Sequence, residues 1–180
     1  MDSLKGQFLI SSGGLYDSSF RHTVVLVGEH DATGAVGVIL NRPMEITVEE
    51  AVPPLGELVE PGTPLFEGGP VGMDQVVLLV DLPVPGVIDI PIFGDVGFLT
   101  GKVPAEVRPQ LRRVRVFIGH AGWGPGQLEA EMAEDAWILE DANARDAFTG
   151  KPDNLWHDLL KRKGPPYDQM ARVPFDPSMN

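Results

Sequence analysis

Four histidines, a scatter of serines and three short segments rich in Gly and Pro hold most of the chemistry open to this 180-residue chain. Leu40-Asn41-Arg42-Pro43 sets an amide and a guanidinium at the end of an apolar run, and the proline restricts the backbone before it. Glu67-Gly68-Gly69-Pro70-Val71 is a turn that lets backbone approach closely. Gly119-His-Ala-Gly-Trp123-Gly-Pro-Gly-Gln127-Leu-Glu129 delivers Trp123 and Gln127 to a strand-to-helix junction with open N–H groups. If the three converge, Arg42 supplies a planar cation for a carboxylate or phosphate, and Trp123 supplies an apolar wall. Asn41, Arg42, Gly68, Gly69, Trp123 and Gln127 are therefore the candidate binding residues for a small anionic ligand or a protein partner. The competing account is structural. Gly and Pro punctuate turns everywhere, and Arg42 and Gln127 would then bond buried loop carbonyls.

Other constellations are weaker. Gly97-Phe-Leu-Thr-Gly101-Lys102 resembles a phosphate loop, but its spacer is short and Val103 replaces the Ser or Thr that would hold magnesium. Glu29-His30-Asp31 groups three potential metal ligands at a strand end, where polar residues are expected anyway, and no histidine pair has HExxH spacing. Ser11, Ser12, Ser18 and Ser19 offer hydroxyls and His30 or His120 a base, yet sequence cannot place any pair within reach. Glu129, Glu131, Glu134 and Asp135 read as a solvated acidic helix face. No catalytic set, metal or cofactor is expected.

These residues must be positioned by short elements. Gly6–Ser11, Thr23–Val27, Ala35–Leu40, Val76–Val80, Gly97–Thr100 and Val114–Ile118 read as strands, and Asp31-Ala-Thr-Gly34 as a hairpin link. Thr47-Val-Glu-Glu50 is a capping box whose helix Pro53-Pro54 stops. A second helix starts near Pro125. A third runs Asp153–Lys163, with Asp153 as cap and Trp156, Leu159 and Leu160 as its buried stripe. Val52–Pro64 and Asp81–Pro91 read as surface loops, and the tail from about Gly164 as extended and partly docked. Strands and helices do not alternate regularly, so the expected class is α+β in one domain spanning 1–180.

Composition narrows the function classes. The absence of cysteine removes disulfides, thiolate nucleophiles and thiol redox sensing. The formal charge of −12 repels nucleic acid and anionic membrane, and Lys161-Arg162-Lys163 is the only dense basic cluster. No run approaches the ~18–20 apolar residues of a membrane helix. A cytoplasmic protein is the expectation.

In order and spacing, the three segments resemble the YqgE/AlgH family of bacterial proteins. The resemblance is carried by Gly6-Gln-Phe-Leu-Ile10, Phe20 with Val24–His30, Gly34-Ala35 with Gly37, and Asn41-Arg42-Pro43. It continues through Gly68-Gly69-Pro70-Val71, Ala121-Gly122-Trp123, Gly126–Glu129 with Glu131, and Trp137. It implies a branched mixed sheet with a small closed barrel, surrounded by helices. It also implies a protein of unassigned biochemistry, often labelled a transcriptional regulator, with no catalytic residues to carry over. Three functions compete: a non-enzymatic binding or regulatory protein, an enzyme of unknown class near Asn41, Arg42 and Trp123, and a DNA-binding factor. The last is opposed by charge and by the lack of a readable helix-turn-helix.

Overall fold

A single long strand sits where a branched sheet divides. The computed structural model describes residues 2–12 and 22–171. In chain order the strands are β1 (Gln7–Ser11), β2 (Val24–Asp31), β3 (Gly34–Ile39), β4 (Pro43–Thr47), β5 (Pro64–Glu67), β6 (Val71–Asp81), β7 (Ile90–Phe93), β8 (Val96–Thr100), β9 (Arg113–Trp123) and β10 (Trp137–Asp141). The helices are α1 (Val48–Ala51), α2 (Gln127–Ala133), α3 (Ala144–Ala147), α4 (Leu155–Lys163) and α5 (Tyr167–Met170).

The main path runs β10-β1-β2-β3-β9-β6-β8-β7. One edge of β9 carries β6, antiparallel, from Arg113 to Ile118. Its other edge takes β5 in parallel at Phe117 and Ile118, then β3 in antiparallel at Ala121 to Trp123. The sheet is thus α+β, mostly antiparallel and branched. Among the described residues the sheet does not close into the small barrel implied by the resemblance. Because β9 hands its edge from β5 to β3, the sheet splits into two leaves and ends on β10 and β7, among the described residues.

Strand periodicity sorts side chains between cores. Phe8, Ile10, Leu26 and Val38 of the first leaf meet Phe66, Leu79, Phe98 and Phe117 of the second in one buried cluster. The alternate residues Leu9, Val25 and Ile39 face the other way, under Leu128 of α2, with Trp123 and Trp137. Leu78, Val80, Leu99 and Val116 form a third cluster with Val48, Leu55 and Val107. The run Val76–Val80 therefore feeds two cores, as expected of a strand buried on both faces. Each fully buried Leu or Phe contributes about 1.5–3 kcal/mol of transfer free energy.

The helices follow local chemistry. Thr47 caps α1 by accepting the Glu50 N–H, completing the capping box, and Pro53 and Pro54 turn the chain into a 3-10 segment over Pro53–Leu58. In α4, Trp156, Leu159 and Leu160 are buried as a stripe. Its start differs from expectation. Pro152 tightens Pro152–Asn154 into a 3-10 turn, so Asp153 lies inside that turn and Asn154 occupies the cap. The tail also differs. Tyr167–Met170 forms the helical turn α5 rather than extended chain, and Tyr167 and Met170 pack onto the first core. Phe175 and Ser18, Ser19 and Phe20 lie outside the described residues.

Candidate functional site

The six candidate residues fall into two groups at opposite ends of β3. Trp123 pairs with Ala35 at the start of β3, whereas Asn41 follows its end. Six residues of strand at ~3.3 Å each put ~20 Å between those ends.

At the far end, Asn41 extends the β2–β3 ladder with its side chain. Its Oδ1 accepts the Val24 N–H at 3.0 Å and its Nδ2 donates to the His22 carbonyl at 2.9 Å. His22 has φ 49°, a left-handed backbone uncommon for a non-glycine residue, and its ring stacks on Trp156 at 4.0 Å between centroids. Trp156 in turn donates its indole N–H to the Ser11 carbonyl at 3.0 Å. Arg42 is half-buried, and its carbonyl accepts the Glu67 N–H at 2.9 Å.

Gly68 marks the branch point. Its N–H donates to the Ile118 carbonyl of β9, and its own carbonyl accepts the Ile39 N–H of β3, both at 2.8 Å. Gly69 (φ 151°) and Gly119 (φ 74°) lie against each other backbone to backbone. A Cβ on Gly69 would overlap the His120 carbonyl, and one on Gly119 would overlap the Gly69 oxygen. The close approach that the double glycine allows is taken by the chain itself.

At the near end, Glu131 of α2 gathers the polar atoms. Its Oε1 accepts the indole N–H groups of Trp123 (3.0 Å) and Trp137 (2.8 Å), and its Oε2 accepts from Gln127 Nε2 at 3.1 Å. Gln127 Oε1 meanwhile accepts the Gly124 N–H at 3.0 Å, latching the loop onto the helix. Next to it, His30 is buried at 4% side-chain exposure. The Leu4 N–H donates to His30 Nδ1 at 2.9 Å, so Nδ1 is the lone-pair nitrogen and Nε2–H donates to Glu129, also at 2.9 Å. That hydrogen bond holds the Glu129 carboxyl below the usual carboxylate range. With both nitrogens engaged, His30 has none left to ligate a metal within Glu29-His30-Asp31.

The acidic residues of α2 are thus not all a solvated face: Glu129 and Glu131 anchor the helix to three strands, β2, β9 and β10. Sequence reasoning missed this. A usable signal was the i, i+4 spacing of Gln127 and Glu131 beside two tryptophans. It also missed Arg115, whose guanidinium lies over the Phe66 ring at 4.5 Å from its centroid. Sizeable concavities lie elsewhere: one of about 370 Å³ lined by Glu57–Glu60 and Leu111–Val114, and one of about 400 Å³ between α3 and α4.

Known proteins share this architecture over nearly the whole chain. A protein of Corynebacterium diphtheriae solved by X-ray crystallography is 26% identical, with a TM-score of 0.81 covering 96% of this chain and 93% of that one. The solution structure of the AlgH protein from Pseudomonas aeruginosa is 25% identical, with a TM-score of 0.74 and coverage of 97% and 96%. Among curated sequences, a UPF0301 protein of Streptomyces avermitilis is 35% identical over 188 residues, covering 100% of this chain and 97% of the relative. A UPF0301 protein of Chlorobaculum tepidum is 37% identical over 181 residues, covering 97% and 95%. The AlgH-like family profile matches residues 8–168, and the chain belongs to the AlgH-like family.

Proposed function

We propose that this chain is a non-enzymatic binding protein with a regulatory role in the cytoplasm, recognising a small anionic ligand or a protein partner. The observation that supports it is the commitment of the polar groups at both candidate clusters. Asn41, Gln127, Glu131 and His30 each use both side-chain ends in bonds that hold strands, loops and helix together. A catalyst needs a base or nucleophile with an open valence toward substrate. A binding surface needs shape and charge, and Arg42 beside the Gly68-Gly69 turn is the place we assign to it.

The test pairs melting with ligand binding in the full chain. Arg42→Ala should leave the melting temperature within about 2 °C of the parent while abolishing stabilisation by a panel of small carboxylates and phosphates. A sharp drop in melting temperature with no ligand response in the parent makes Arg42 a structural residue. One observation favours the enzyme alternative, the left-handed His22 stacked on Trp156, because backbone strain gathers at functional sites. Turnover of an ester or phosphoester panel, lost on His22→Ala with the fold intact, would replace the binding reading.

A further inference from the structure

We propose that the groove between α3 and α4 binds a phosphate-class dianion, held chiefly by Arg145 and Lys161. The groove is an open hollow of about 400 Å³ lined by Arg145, Asp146, Thr149, Asp158, Lys161 and Arg162. That volume suits a small ligand. Arg162 is already committed, since its Nη2 and Nη1 donate to the two Asp146 oxygens at 2.8 and 3.1 Å. Burial pushes the Asp146 carboxyl up, but the bonds from Arg162 and from Asn143 Nδ2 at 2.7 Å outweigh it and hold it below the usual range. This pair is a fixed, neutral wall.

The remaining charges do not cancel. Arg145 and Lys161 are exposed, and neither pairs with a carboxylate among the described residues. Behind the groove, Arg115 Nη2 donates to the carbonyl of Thr149, one of the lining residues, at 2.8 Å. Its Nη1 is buried without a hydrogen-bond partner among the described residues. Burial pushes the Arg115 pKa down to about 10, so the group is still a cation at neutral pH. The lining cations Arg145 and Lys161 against the open carboxylate of Asp158 leave one positive charge in excess, and Arg115, behind Thr149 and outside the lining, supplies a second. A dianion neutralises both, and a guanidinium fork fits phosphate oxygens in pairs. In a chain of net charge −12 the groove is a local reversal of sign, which concentrates small anions there.

This goes beyond the binding reading above and uses a different surface, so the two can fail separately. Inorganic phosphate is titrated into the full chain by calorimetry, with sodium chloride holding the ionic strength constant. The parent should bind saturably. The double variant R145A/K161A, which alters only exposed side chains, should bind at least ~10-fold more weakly with unchanged circular dichroism, whether or not R42A is also present to remove the Arg42 surface. No preference for phosphate over chloride overturns the proposal, and so does equal affinity in the double variant. Parallel titrations with glucose 6-phosphate and adenosine monophosphate separate the sources. Tighter binding of an ester supports a phosphorylated metabolite as the ligand, and equal affinity supports the free ion.

Discussion

His30 and Glu129 share a 2.9 Å hydrogen bond whose direction is fixed from the opposite side of the imidazole, by the Leu4 N–H on Nδ1. The pair therefore ties three pieces of chain: the segment before β1, the end of β2 and the first turn of α2.

The acid side of stability should reflect this pair. Glu129 has its folded pKa lowered, so its contribution is fully present above the ordinary carboxylate range and is lost as pH falls through the lower folded value. Urea midpoints measured from about pH 6 to about pH 3 at low salt should fall less steeply in Glu129→Gln than in the parent. Identical slopes would remove Glu129 from the account.

Glu131 should behave as a structural carboxylate. Glu131→Ala removes the acceptor that two indole N–H groups share and should cost about 1–3 kcal/mol, with a shift in tryptophan emission. Unchanged stability and emission would mean that solvent replaces it without loss.

The glycine contact offers an internal control. Gly62 has φ 84° with nothing within 4 Å of an added Cβ, so Gly62→Ala should cost about 1 kcal/mol of backbone strain. Gly69→Ala adds a collision with the His120 backbone and should cost at least ~2 kcal/mol more, or prevent folding. Equal costs for the two would refute the backbone interlock.

Trp156 is 4% exposed at the head of the α4 stripe. Trp156→Ala should cost about 3–5 kcal/mol by chemical denaturation. A loss below about 1 kcal/mol would make α4 peripheral.

Much of this was legible beforehand, and what was not has a physical cause. Continuous apolar runs announced β1, β2, β3, β6, β8 and β9, and the Thr47 box and the Trp156 stripe announced α1 and α4. The strands that escaped are β4, β5, β7 and β10, short segments such as Ile90–Phe93, broken by Pro91, and Trp137–Asp141, which ends on Glu140 and Asp141. Pairing with a neighbour makes these strands, not their own composition. The candidate site was legible as residues but not as a place. Asn41, Gly68 and Trp123 stand out by type, while the register of β3 against β9 that sets Trp123 ~20 Å from Asn41 is a long-range property. Arg115 gave no local sign, because alternation within β9 looks the same whether the inward residue meets a carboxylate or a phenyl ring.

The position of β9 in the chain bears on how the protein is made. Its three partners β3, β5 and β6 all precede it, so a nascent chain synthesised as far as Arg112 has every rung of the second leaf's central ladder still to form. Until residues 113–123 emerge, three strand edges stay open to any other chain that offers a partner. Truncation before Trp123 should therefore yield an aggregating fragment rather than a smaller folded unit, and synthesis rather than refolding is the stage at which this fold most needs protection.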